Sequence, residues 1–121
     1  RKGMNLESLQ KILLKKKGTT EEIPFGPEAL VYKVMGKMFG LIAWEESPLH
    51  LTLKCDPDLA LALRAQYEAI TAGYHMSKKH WNTIILDGSV PKDQILGMID
   101  ESYALVVKKL KKIEREKLAT L

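Results

Sequence analysis

LVYKVMGKMFGLIAW, residues 30–44, reads as two β-rich runs, Leu30 to Met35 and Met38 to Trp44, on either side of Gly36 and Lys37. A two-residue connection with glycine at positive φ is the signature of a tight hairpin. The turn EESP (45–48) leads into LHLTLKC, where Leu49, Leu51, Leu53 and Cys55 alternate with His50, Thr52 and Lys54. That alternation is a half-buried strand. Pairing across the first hairpin puts Lys33 and Gly40 on one face, and continuing across EESP brings Leu51 and Leu53 to the same face. Either a bulge shifts the second hairpin by one residue or both faces of the sheet are partly covered.

Helices flank this core. Asn5 caps a first helix with apolar Leu6, Leu9, Ile12 and Leu13, and Gly18 ends it. The segment GTTEEIPFGPEAL reads as an ordered loop anchored by Ile23, Phe25 and Leu30. Asp56-Pro57 starts a helix running to about Tyr67, with a carboxylate at the cap and proline where its missing N–H is harmless. Leu59, Leu63 and Tyr67 form its stripe, beside Ala60 and Ala62, with Arg64 and Gln66 off it. Trp81 to Leu86 is a further strand, closed by the turn Asp87-Gly88. Pro91 opens a last helix whose stripe is Ile95, Ile99, Tyr103, Val106, Leu110 and Ile113. The expected class is α+β, an antiparallel sheet packed by helices in the order α-β-β-β-α-β-α, with a possible short extension near Tyr74 to Lys78.

The chain has 121 residues, one cysteine and a formal net charge of +4, which fits a single domain over 1–121. Met4 is the expected native start, making Arg1 to Gly3 an expression remnant. No apolar run is long enough for a membrane span, and lone Cys55 cannot form an internal disulfide, so a cytoplasmic setting is expected. The charge is localised. Lys108, Lys109, Lys111, Lys112, Arg115 and Lys117 face only Glu114 and Glu116, so the run carries the whole surplus and residues 1–107 balance. Residues 108–121 are the basic end of the last helix, where Lys108, Lys111, Lys112 and Arg115 form a ridge beside the apolar stripe.

GYHMSKKHWNT (73–83) concentrates aromatic planes and cations, the two things that stacking and phosphate neutralisation need. Large aromatics in strands usually belong to the core, so Trp81 is expected inward. Alternation then turns Lys78, His80 and Asn82 outward, and with Lys79 they form a polar edge. Lys54, on the polar side of its strand, is placed to meet a phosphate or water. Histidines 50, 75 and 80 and Cys55 show no metal-ligand spacing, and a Cys55 nucleophile is disfavoured by its alternation with leucines. The segments GKM (36–38) and DGSVPK (87–92) lack the spacing of a phosphate-cradling loop. The pairs Glu45-Glu46 and Asp100-Glu101 read as solvated turn and helix residues. No cofactor and no enzymatic reaction are expected.

The strings PFGPEALVYKVMGKMFGLI (24–42), LKCDPDLALALRAQY (53–67), GYHMSKKHWNTIILDG (73–88) and IDESYALVVKKL (99–110) together resemble the MmcQ/YjbR family of small bacterial proteins, collinearly over about residues 22–112. The matching positions are Lys54 to Pro57, Arg64, Gly73 to Met76, Lys78, His80 to Thr83, Ser102 and Tyr103. Ala72 stands where the family usually has proline, and Ser77 where it often has asparagine. The resemblance implies a double-wing DNA-binding-like fold with β-hairpin wings and no known reaction.

Three functions follow as expectations. The first is backbone-directed DNA binding through Lys54, Arg64, Lys78, Lys79, His80, Asn82 and the ridge Lys108, Lys111, Lys112 and Arg115, although the acidic EESP tip argues against that hairpin approaching DNA. The second is a protein-interaction adaptor, in which the half-open sheet or a groove around Tyr74, His75 and Trp81 takes a peptide or partner helix. The third, an enzyme or small-ligand binder, has the least support, for want of a triad or metal set.

Overall fold

The described residues of the computed structural model are 4–23, 29–73 and 76–121. Their elements in chain order are α1 (Leu6–Leu14), β1 (Thr19–Glu22), β2 (Ala29–Val34), β3 (Lys37–Ala43), β4 (His50–Lys54), α2 (Pro57–Gln66), β5 (Ile70–Ala72), β6 (Trp81–Ile85), α3 (Lys92–Lys108) and α4 (Lys112–Ala119). All strand pairs are antiparallel, in the order β1-β2-β3-β4-β6-β5. The α+β class stands as expected. Two edge strands and a break in the last helix are additions to the expected order.

Both added strands lack an internal period. In β1, Thr20, Glu21 and Glu22 are exposed, so no apolar alternation marks it, and it is held by its ladder to β2. The segment expected to be a loop therefore begins as a strand. Ile23 is 56% exposed and is no anchor, while Phe25 lies outside the described residues. β5 has three residues, too few to display alternation.

The central hairpin turns one residue earlier than expected. Val34 pairs with Lys37, and the two turn residues, Met35 (φ 50) and Gly36 (φ 79), both have positive φ, as the twist-matched I′ turn requires. The register then shifts between Tyr32 and Lys33, leaving Phe39 without a partner in β2. This bulge resolves the conflict posed by the sequence, in the first hairpin rather than the second. Tyr32 now pairs with Gly40, Gly40 with Leu53, and Leu53 with Asn82, so all four share a face while Lys33 lies on the other.

Helices α1, α2 and α3 cover that shared face. A Cβ on Gly40 would touch Leu13 of α1, and the Asn82 amide donates to the Ala60 carbonyl of α2 at 3.3 Å. The opposite face carries Leu41, Thr52 and Thr83, with the two threonine hydroxyls 2.8 Å apart. Helix starts follow the expected chemistry: Asn5 accepts from the Ser8 N–H, and Asp56 accepts from the N–H groups of Asp58 and Leu59. The stripe of α2 differs from the expected one. Ala60 and Leu63 are buried, whereas Leu59 is 41% exposed and Ala62 is also exposed, because the helix lies close enough for Asn82 to reach its backbone.

The last helix does not continue through the basic run. It stops at Lys108; Leu110 is buried in the connection, and α4 starts afresh with the Glu114 carboxylate accepting from the Lys111 N–H at 3.0 Å. Arg115 donates to the carbonyls of Lys108 (3.3 Å) and Leu110 (2.8 Å), satisfying acceptors that the helix end leaves free. Leu118 then packs close to Gly18, whose φ of 74 and lack of a side chain permit the approach. Ile113, expected in the buried stripe, is 72% exposed.

One side chain sits where the sheet divides. The β3–β4 register ends at Gly40↔Leu53, and continuing it would pair Phe39 with Lys54. Instead the hydroxyl of fully buried Ser102 stands between them, accepting from the Lys54 N–H at 2.9 Å and donating to the Phe39 carbonyl at 2.6 Å. Phe39 meets the Tyr103 ring edge-on, centroids 5.3 Å apart. Removing the hydroxyl leaves two ladder groups without partners. Ser102→Ala should lower unfolding stability by about 2–4 kcal/mol in a urea titration, with the m-value unchanged. A loss below about 0.5 kcal/mol would show that the strands can pair without it.

Candidate functional site

Beyond Ser102, the parted strands leave a groove of about 460 Å³. Its walls come from five elements and one turn: Val31 and Lys33 on β2, Gly36 at the turn, Lys37 and Met38 on β3, Lys54 on β4, Trp81 on β6, and Val106 on α3 with Lys109 capping that helix's C-terminus. The α3 contribution follows from helical spacing. Ser102, Val106 and Lys109 lie at i, i+4 and i+7, one stripe that runs from the division of the sheet into the groove. On the sheet, Lys33, Met38, Lys54 and Trp81 fall on the face away from the helices, joined by the pairs Lys33↔Met38 and Lys54↔Trp81.

Four lysines line this space, and among the described residues no lining residue is acidic. Lys33 is paired at 3.0 Å with Glu22 on the neighbouring strand; among the described residues Lys37, Lys54 and Lys109 take part in no ion pair. The Lys54 ammonium lies 5.8 Å from the Trp81 ring centroid. Burial, and then the charge of Lys109, hold the Lys54 pKa below the ordinary lysine value of 10.5. Carrying that charge therefore costs folding free energy.

Trp81 is fixed from behind. The Gly73 N–H donates to the Trp81 carbonyl at 2.9 Å, and a Cβ on Gly73 would come within 2.7 Å of the Trp81 Cβ and 3.3 Å of its backbone. Only glycine fits there. The expected orientation of this strand is reversed: alternation does separate Trp81 from Asn82, but Asn82 points into the helix layer with no exposure, and partly exposed Trp81 faces the groove. The helices cover the face on which the asparagine sits, so the polar edge expected at Asn82 does not exist.

The other expected contact residues scatter. Lys54 is in the groove. Arg64 is a tether, donating to the carbonyls of Ala60 (3.3 Å) and Lys78 (3.2 Å), and so ties α2 to the turn before β6. Exposed Lys78 and Lys79 and half-buried His80 occupy that turn, next to Trp81 in sequence but outside the groove lining. The break after Lys108 divides the ridge expected from Lys108, Lys111, Lys112 and Arg115: exposed Lys108 ends α3, Lys111 and Lys112 begin α4 exposed, and Arg115 serves the helix connection. Tyr74 and His75 lie outside the described residues. Lys33, Lys37 and Lys109 were not singled out as contacts, and their convergence depends on the bulge and the parted strands, which no local pattern announces.

A smaller cavity of about 220 Å³ lies on the helix side, lined in part by Leu53, Cys55, Asn82 and Met98. Burial pushes the Cys55 thiol up to about 11, the wrong direction for a nucleophile. No group of three metal-ligating side chains occurs among the described residues, and no described helix is long and apolar enough to cross a membrane.

The YjbR family model matches residues 14–105. The uncharacterised protein YjbR of Escherichia coli K12 is 31% identical over 118 residues, spanning 98% of this chain and all of that protein. YyaQ of Bacillus subtilis, also uncharacterised, is 37% identical over 76 residues, 63% of each chain. Among solved structures, the Deinococcus radiodurans protein DR2400 superposes with a TM-score of 0.89 at 37% identity, covering 95% of this chain and 88% of its own. A Pseudomonas syringae protein superposes at 0.73 with 27% identity, covering 84% and 98%.

Two measurements check the groove's construction. Because the folded Lys54 pKa lies below its unfolded value, its stabilising contribution is complete only above about pH 10.5 and is lost as pH falls through the folded value. Lys54→Met should therefore raise the urea midpoint at pH 7 and abolish this residue's share of the rise in stability on approaching pH 10.5. A lowered midpoint would contradict the cause given. Gly73→Ala should lose about 1–3 kcal/mol by forcing strand and turn apart, and an unchanged unfolding curve would show that the Trp81 backbone yields freely.

Proposed function

This chain belongs to the YjbR family, and from that premise we propose that it is a non-catalytic DNA-binding protein whose groove lysines grip the phosphodiester backbone. The observation that carries the reading is the convergence of Lys37, Lys54 and Lys109, without carboxylate partners among the described residues, from β3, β4 and the end of α3 onto one groove. Their mutual repulsion is unfavourable until an anion enters, and a polyanion relieves it while releasing counterions. Lys54 is the clearest member, since its charge is held in a place that disfavours it. A group retained against stability is a candidate for function.

The described lining offers no donor–acceptor pattern that reads a base pair, because its side-chain polar groups are four ammonium groups suited to any phosphate and one indole N–H. Binding should accordingly tolerate sequence. The basic tail is a separate feature. Its Arg115 is engaged with backbone carbonyls and α4 folds back toward Gly18, so the tail adds general positive potential rather than a shaped site. No cofactor enters this reading.

Fluorescence anisotropy with labelled DNA across a salt series tests it. Three phosphate contacts give a log–log salt slope of about −2.7, hence about a 40-fold loss of affinity between 50 and 200 mM salt. Lys54→Glu with Lys109→Glu should abolish binding, whereas Lys112→Glu with Lys117→Glu should retain most of it. Absence of binding by the unaltered chain at low salt would sink the proposal, and loss only in the tail variant would move the contact to the tail.

A further inference from the structure

We infer that the groove takes a single strand of nucleic acid, with one base laid against Trp81 and its flanking phosphates on Lys54, Lys109 and Lys37. This rests on the proposed nucleic-acid reading and narrows it. The composition of the groove is the first ground. Phosphate alone gains nothing from apolar walls, yet Val31, Met38 and Val106 line the same space as the ammonium groups, beside the tryptophan ring. Apolar surface with an aromatic plane suits a base, and cations around it suit the phosphates.

Size is the second ground. About 460 Å³ falls in the range of roughly 300–1,000 Å³ typical of pockets that enclose a small molecule, which is the scale of one nucleotide unit and not of a duplex. A duplex presents its phosphates outward and keeps its bases stacked, so a base lies against the Trp81 ring only by leaving the stack, at a cost of a few kcal/mol. A single strand has little stacking to lose.

The placement of the hairpin tips is the third. The Met35-Gly36 turn and the 45–48 connection lie at opposite ends of β3, so only the first borders the groove. The second carries Glu45 and Glu46, both exposed, which repel a polyanion. Two basic wings straddling one duplex are therefore not formed at this site. One hairpin closing over a strand is what the geometry offers.

Trp81 fluorescence reads the inference directly once Trp44 is changed to phenylalanine. Oligothymidylate, oligouridylate, an abasic oligonucleotide of equal length and a duplex are titrated at low salt. Quenching by either base-bearing single strand, with weak or no quenching by the abasic strand and the duplex, is expected, and the ratio of the two affinities identifies which polymer is preferred. Trp81→Ala should weaken single-strand binding by roughly 5- to 150-fold, the range set by stacking of one base. Trp81→Phe keeps an aromatic plane and should retain most of the affinity, and abasic binding should not change in either variant. Duplex binding equal to or tighter than single-strand binding, or base-independent binding without quenching, overturns the inference and leaves the backbone-gripping proposal standing. No binding of any probe overturns both.

Discussion

The hydroxyl of Ser102 governs this structure more than any other single group. It occupies the place where the β3–β4 ladder would continue, accepting from Lys54 and donating to Phe39, so neither backbone group is left unsatisfied by the division of the sheet. Buried polar backbone tolerates such a division only if a substitute partner arrives. With that substitution the β2–β3 hairpin can turn away from β4 and the α3 stripe can follow Ser102 with Val106 and Lys109. The same bond fixes the backbone of Lys54, whose side chain then emerges beside Trp81. Helix packing, strand geometry and groove charge thus meet at one buried oxygen.

Electrostatics and packing oppose each other in the groove. The aromatic face of Trp81 attracts the Lys54 ammonium, an effect of about 0.5–1 kcal/mol at exposed sites. Burial, and then the charge of Lys109, act against the charge and hold the Lys54 pKa below the ordinary lysine value. The site is therefore built around an unrelieved positive potential on an apolar floor. Lys33 illustrates the contrast: its charge is already matched by Glu22, and it forms wall more than contact.

Local chemistry in the sequence identified much of the scaffold. Asn5 and Asp56-Pro57 mark helix starts because their side chains and ring act within one turn of chain, and the alternation of Leu51 and Leu53 marks a strand because one face is buried. Thr19–Glu22 escaped because an exposed edge strand needs no apolar face; its ladder to β2 is a nonlocal fact. The break after Lys108 escaped because no proline or glycine causes it, and a buried Leu110 with a returning Arg115 does. Of the site, Lys54 was legible as a contact, and Trp81 only through the groove of the adaptor reading. Trp81 and Asn82 were correctly placed on opposite faces, but which face the helices cover cannot be told from alternation, and Lys37 and Lys109 meet through a bulge and a parted ladder that leave no mark in residue spacing.

The central claim is that the groove, and not the basic tail or the Lys78-Lys79 turn, is where this protein meets its polyanion. An amide and indole NMR titration with a short oligothymidylate at low salt tests it most directly. The account predicts that the Trp81 indole and the amides of Lys37, Lys54 and Lys109 shift together with one apparent affinity, while residues 112–121 move little. Shifts confined to the tail or to the turn before β6, with the Trp81 indole unmoved, would contradict it.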